Sequence, residues 1–405
     1  MRRFAILFIL FYELCCYPHL LWADSSVQQE MAAMKEQLAT MQIKMNALED
    51  KVVRQQEKID TYASSRATVT TASNHLIPTK WTPEIGVMAD TVLKLDSSKA
   101  DVGGNNRLSL RALELILGSN IDPFSRLDAT ISFSDLETPG LEEAYITRSG
   151  LPFDTTAKIG ELKPRIGKVL GVHRDGLETV DEPLVIQRYF GTEGMHKAGA
   201  EITKTLDLPL PITQQVMLGV MQGGNGDDGT AFGSTGRAPT LYGHLKNYKD
   251  LSDTMGLELG TSYMAGSKDE NPNFNTQILA FDTTLTKYLN ANQDIKLQAE
   301  VFNVNRKKTI NADGNVWGAY GLLNVHFLPA WSAGLRYDYA ELIDNPMNNL
   351  RKADYSGSAF LTFVQSEFAR WRVQYEHTVL ATGKDDNTVY LQGTFVIGDH
   401  KHKLQ

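Results

Sequence analysis

Between residues 27 and 62 the apolar positions step by four and three: Val27, Met31, Met34, Leu38, Met41, Met45, Leu48 and Val52, then Gln55, Ile59 and Tyr62. Side chains spaced this way share one narrow stripe of an α-helix, the seam of a coiled coil. At about 1.5 Å per residue the segment is a rod of roughly 54 Å. Lys35, Lys44, Glu49, Lys51 and Lys58 stand beside the stripe and suit flanking ion pairs. A stripe two positions wide per heptad asks for an identical partner, so the spacing predicts a homo-oligomer; one amphipathic helix packed on the rest of the chain is the alternative. Residues 63–80 are rich in Ser, Thr and Ala and read as a linker.

Beyond Pro83 the period changes to two. Leu127, Ala129, Ile131 and Phe133 alternate with Asp128, Thr130 and Ser132; Leu335, Tyr337 and Tyr339 alternate with Arg336 and Asp338; Trp371, Val373 and Tyr375 alternate with Arg370, Arg372 and Glu376. This is the signature of strands with one apolar and one polar face. Such segments recur near 83–95, 106–118, 124–135, 141–148, 155–163, 196–205, 213–223, 240–249, 253–266, 275–288, 293–306, 315–328, 330–342, 354–366, 369–380 and 387–398, sixteen in all. Several have the length of a tilted bilayer crossing. Even-to-odd connections are compact (119–123, 290–292, 329, 367–368). Most odd-to-even ones are longer (96–105, 164–195, 224–239, 267–274, 307–314, 343–353, 381–386), 136–140 being the exception. Short turns at one end and long loops at the other predict an all-β transmembrane antiparallel β-barrel over 81–405, preceded by the periplasmic coiled coil of 24–62. A large soluble β-sandwich or β-helix is the alternative, because alternation alone does not say which face meets solvent. Tyr288, Trp317, Trp331, Tyr337, Tyr339 and Trp371 sit near strand ends, as interfacial girdles require.

Composition narrows the function. Both cysteines, Cys15 and Cys16, lie in a segment that opens Met1-Arg2-Arg3, continues through an apolar run and closes on Ala23, a secretory signal over 1–23. The remaining chain has no cysteine, which excludes disulfides, thiolate zinc sites and a catalytic thiol. A formal charge of −8 makes nucleic acid an unsuitable partner. After residue 23 no apolar run is long enough for a helical membrane span.

With the apolar face toward lipid, the polar face lines a lumen. Its charged candidates are Arg107, Arg111, Arg126, Asp128, Lys296, Glu300, Arg336, Asp338, Arg370, Arg372 and Glu376, and rings of such charges set ion preference in pores. The arginines favour anions if they cluster at a constriction, unless carboxylates across the wall neutralise them. The connection 164–195 is long enough to fold inward as a constriction loop, with Lys163, Arg165, Lys168, Arg174 and Arg188 as its basic members. No nucleophile–base pattern and no zinc-protease helix motif is found, Gly223–Gly229 reads as a solvated loop, and the His400/His402 tail is a thin metal site. No enzyme activity, cofactor or metal is expected.

Gly160-Glu161-Leu162-Lys163-Pro164-Arg165-Ile166-Gly167 resembles a signature of the phosphate-selective porin O/P type of outer-membrane porins, with Leu162 and Ile166 in place of two aromatics. Leu141–Ile146 and Val180–Gly191 are similar to segments of porin-like proteins in that group. The resemblance covers about residue 81 to the C-terminus and implies a trimeric sixteen-stranded porin in the cell outer membrane. It also implies surrounding lipid and small hydrophilic solutes or ions as partners. The lysine- and arginine-dense wall that phosphate selectivity demands is missing. The second reading is a structural anchor whose coiled coil reaches toward peptidoglycan.

Overall fold

Period-two patterning resolves into sixteen strands: β1 Glu84–Asp96, β2 Arg107–Asp122, β3 Ser125–Phe133, β4 Gly140–Leu151, β5 Thr155–Leu162, β6 Lys197–Leu206, β7 Thr213–Met221, β8 Thr240–Ser252, β9 Met255–Ser267, β10 Asn275–Asn290, β11 Gln293–Thr309, β12 Ala312–Leu328, β13 Trp331–Glu341, β14 Ala353–Ser366, β15 Ala369–Val379 and β16 Asp385–Gly398. This computed structural model describes residues 83–97, 107–134, 139–192, 194–224, 230–234, 239–268, 275–309, 312–344 and 351–398. The readings of 1–23, 24–62 and 63–80 as signal, coiled coil and linker lie outside them. Every strand pairs antiparallel with its sequence neighbours, and β1 pairs with β16, so the sheet closes and no edge is left to aggregate.

The faces are inverted relative to a soluble fold. On β13, Leu335 and Tyr337 are each 59% exposed, whereas Arg336 and Asp338 between and beside them are 2% and 0% exposed. Leu297, Val301, Val373 and Tyr375 face out on β11 and β15, while Gln298, Glu300, Arg370 and Arg372 of the same strands are buried inside. Each large apolar side chain gains about 1.5–3 kcal/mol when it leaves water. Here that gain is realised only if hydrocarbon covers the outer wall, which is the design of a membrane barrel. Aromatics mark two levels of this band. Trp331 stacks on Phe363 at 4.6 Å and Trp371 meets Phe395 edge-on at 5.3 Å, all near the short-turn end; Tyr339 meets Tyr355 at 5.3 Å nearer the long loops.

Two local features depart from simple alternation. Residues 307–309 and 312–314, expected to belong to a long loop, instead continue the ladder, with Lys307 opposite Asp313 and Thr309 opposite Ala312. Their polar character reflects strands that run on past the apolar band, not a break in pairing. On β2 a bulge opposite Asp90/Thr91 makes Arg111 an extra residue, so that Thr91 pairs with Leu110 and Asp90 with Ala112. The inward phase therefore moves from Arg107 and Ser109 to Ala112, Glu114 and Ile116. Inside the closing seam, Asp90 accepts hydrogen bonds from Arg111 Nε (2.6 Å), Gln392 Nε2 (2.8 Å) and Thr394 Oγ1 (3.1 Å).

Candidate functional site

Residues 163–196, between β5 and β6, fold onto the inner wall. Two glycines of the porin-like motif allow the entry. Gly160, at φ +142°, lies where a Cβ would stand 2.1 Å from the Ala144 carbonyl oxygen, and Gly167, at φ +64°, where it would stand 2.0 Å from Glu300 Oε2. The segment then carries one short helix, α1 (Leu184–Phe190), whose Val185, Ile186, Tyr189 and Phe190 are fully buried. They rest on an apolar patch of the wall: Phe190 meets Phe302 edge-on at 5.8 Å, and Gly318 leaves room for Val185 and Tyr189. This part of the inner face is apolar, an exception to the polar lumen that alternation predicts.

Charges of the wall are engaged by the same segment. Arg336 donates to Asp181 Oδ2 (2.8 Å), the Thr179 hydroxyl (2.6 Å) and Asp338 Oδ2 (2.7 Å). The Asp338 carboxylate accepts from the Leu184 amide at 3.2 Å. Arg372 donates to the carbonyls of Thr179 (2.8 Å) and Leu177 (3.0 Å), Arg111 to that of Val180, and Lys296 to Glu178 at 2.9 Å. Glu376 accepts from Ser358 Oγ at 3.1 Å and lies 3.4 Å from Arg336. Glu300 accepts from the Tyr320 hydroxyl (2.7 Å) beneath Gly167. Arg370 is 1% exposed, and its guanidinium has no hydrogen-bond partner among the described residues. Burial pushes the Glu178 and Asp181 carboxyls up, but Lys296 and Arg336 respectively more than offset this and hold both below their ordinary values.

The sequence-derived basic residues of this segment divide by task. Lys163 pairs with Glu142 of β4 at 3.1 Å, Arg188 with Asp354 at 2.7 Å, and Arg174 donates to the Thr192 carbonyl at 3.3 Å. Arg165 and Lys168 instead border a cavity of about 820 Å³ between the segment and the wall of β3 to β8. Of the eleven charged wall candidates, Arg126 and Asp128 line this cavity; Arg107 is at the exposed start of β2. Lining residues that the sequence reading passed over are Lys158, Glu201, His244 and Lys246, with Tyr145. Their signal was present, because Thr156/Lys158, Glu201/Thr203 and His244/Lys246 alternate with apolar residues as the named examples do.

The lining carries Arg126, Lys158, Arg165, Lys168 and Lys246 against Asp128 and Glu201. Several cations have partners behind them. Arg126 bonds Glu84 (3.0 Å) and Asp128 (2.9 Å), Lys168 bonds Glu258 and Asp282 (3.0 Å), and Lys246 bonds Glu258 (2.7 Å). Lys158 Nζ lies 4.4 Å over the Tyr145 ring.

Where the segment leaves β5 it crosses a group of carboxylates. His173 Nε2 is 2.7 Å from Glu143 Oε2, and its Nδ1 is 3.2 Å from Glu142 Oε2 and 4.0 Å from Glu114 Oε2. Burial pulls the imidazole pKa down, but hydrogen bonds to Glu142 and Glu143 outweigh it and push the value up to about 10.

No protein-family model matches the chain. An uncharacterized protein of Aquifex aeolicus (strain VF5) is 26% identical over 326 residues, which is 72% of this chain and 69% of that protein. Among solved structures the chain is similar to the anion-selective porin from Comamonas acidovorans, with a TM-score of 0.54, 11% identity and coverage of 78% of this chain and 99% of that one. The barrel has the porin fold. The trimer form of OmpT, an outer membrane protein of Vibrio cholerae, gives 0.52 at 8% identity, covering 78% and 99%. Salmonella typhi OmpF in complex with daunomycin gives 0.51 at 10%, covering 78% and 97%. At these identities the porin likeness is one of fold; specificity has to be read from this chain's own side chains.

Proposed function

We propose that this protein is an outer-membrane porin that passes small hydrophilic solutes or ions by diffusion through the space between residues 163–196 and the wall of β3 to β8. The observation that carries this reading is the 820 Å³ cavity with a polar lining inside a barrel whose outer wall is apolar. In that role Arg165 and Lys168 are the constriction residues of the inserted segment, and Arg126, Asp128, Lys158, Glu201 and Lys246 face them across the passage. Five cations against two carboxylates on the lining favour anions. Partners Glu84, Glu258 and Asp282, just behind, keep the preference weak. The O/P-type motif supports membership of the broader porin group, and the phosphate specificity of that type is not carried over. The coiled coil of 24–62, on the periplasmic side, holds three subunits together.

Purified protein in a planar bilayer gives stepwise conductance, and in a salt gradient the reversal potential has the anion-selective sign. A folded barrel that stays silent in several salts overturns the channel. It leaves the anchor, a reading favoured by the apolar packing of α1 inside the lumen. Deleting 24–62 converts trimers to smaller species in light scattering; a full-length monomer refutes the coiled-coil trimer.

A further inference from the structure

The carboxylates around His173 have no part in the passage, and their arrangement is specific. Glu114 comes from β2, Glu142 and Glu143 from β4, and His173 from the inserted segment. One ligand atom each from Glu114, Glu142 and His173 lie within 4.8 Å of one another. A tetrahedral ion with bonds of about 2.0–2.2 Å sets its ligands about 3.4 Å apart. The 3.2 Å and 4.0 Å separations from His173 Nδ1 bracket that spacing.

Two further observations point to a ligand at this spot. Glu143 accepts only, so it holds the proton of His173 on Nε2 and turns Nδ1 toward the other two carboxylates, as outer carboxylates do for metal-bound imidazoles. Glu114 is 2% exposed and brings its carboxylate into this group from β2, 4.0 Å from His173 Nδ1. Four buried or half-buried carboxylates, Glu114, Glu142, Glu143 and Asp175, gather here against Lys163 and His173, an excess of negative charge that favours a cation.

We infer that Glu114, Glu142 and His173 form a binding site for a divalent transition ion of the zinc class, with Glu143 orienting the imidazole. One nitrogen and two carboxylate oxygens suit Zn²⁺ and fall short of the six to eight oxygens that Ca²⁺ takes. The ion replaces the Nδ1 proton and ties the inserted segment to β2 and β4.

Full-length, untagged protein stripped with EDTA and folded in detergent is titrated with Zn²⁺ by calorimetry. One ion binds per subunit, and Co²⁺ in its place gives visible absorption bands of a four- or five-coordinate site. His173→Ala and the near-isosteric Glu114→Gln each weaken binding at least about tenfold, and Glu143→Gln weakens it by about 10–100-fold. Changing His400 and His402 together to Ala leaves it intact. Folding of each variant is checked by its heat-shifted mobility and circular dichroism. Absence of Zn²⁺ binding by the folded wild type overturns the site and leaves a purely ionic latch between His173⁺ and the glutamates. Binding that persists in both Glu114→Gln and His173→Ala, or that vanishes with the tail histidines, overturns it equally. Calorimetry is independent of conductance, so the site stands or falls separately from the channel.

Discussion

The two halves of the inner wall are built from the same alternating strands and do different things. From β11 round to β2 many inward charges are bonded to the inserted segment: Arg336 to Asp181, Arg372 to two carbonyls, Lys296 to Glu178. From β3 to β8 a set of inward residues, Arg126, Lys158, Glu201 and Lys246 among them, faces a cavity, while Glu142 and Glu143 of β4 hold Lys163 and His173. A polar face in a barrel is therefore not by itself a pore lining. The half whose charges meet backbone groups of 177–184 is held by the inserted segment, and the half left facing space lines the proposed passage.

The sharpest way to break this contrast is Arg336→Ala. Its side chain is wholly buried between Asp181 and Asp338, and removing one partner of such a group costs about 3–5 kcal/mol. The expected outcome is a lowered melting temperature together with larger, noisier conductance steps as the segment detaches. Gly167→Ala attacks the same docking from the backbone. A side chain at φ +64° against Glu300 costs about 1–2 kcal/mol in thermal unfolding, with smaller effects on conductance.

On the cavity side, Lys158→Glu leaves the unfolding free energy within about 1 kcal/mol of wild type and shifts ion preference toward cations. A unit charge at contact distance is worth about 1 kcal/mol in water, so the anion-to-cation permeability ratio falls several-fold. A Lys158→Glu protein that unfolds, or keeps its reversal potential, erases the distinction between the halves.

Acid gives the mildest test. Glu178 and Asp181 are held below their ordinary values of 4.5 and 3.8. Depressed carboxyls contribute stability that is fully present above those values and lost as pH falls through the lower folded ones. Docking thus survives at pH 5 and weakens only below about 4, read as rising protease access to 163–196.

How much of this was legible in the sequence depended on whether local pattern or long-range contact decided it. The sixteen strands and the sidedness of their loops followed from period two and connection length, because lipid outside and water inside impose a face on every residue. The extension of the ladder to Thr309 and from Ala312 did not, since polar residues past the apolar band look like a loop. Glu114 was missed because a single bulge at Arg111 shifts the inward phase of β2, and no propensity marks that bulge. Which wall charges stay open to the lumen was equally hidden: Arg336 and Lys158 look alike in alternation and differ only in what a distant segment places against them.

The inserted segment also constrains the order in which the barrel can be made. Its anchors lie far along the chain: Leu184 to Asp338 spans 154 residues, Val180 to Gln374 spans 194, and Arg372 to Leu177 spans 195. These bonds cannot form until β13 and β15 have joined the sheet, and contacts of such separation form slowly. Until then the buried carboxylates and backbone groups of 177–184 need water. A half-built barrel therefore keeps its widest mouth open, and it narrows only when the last strands arrive.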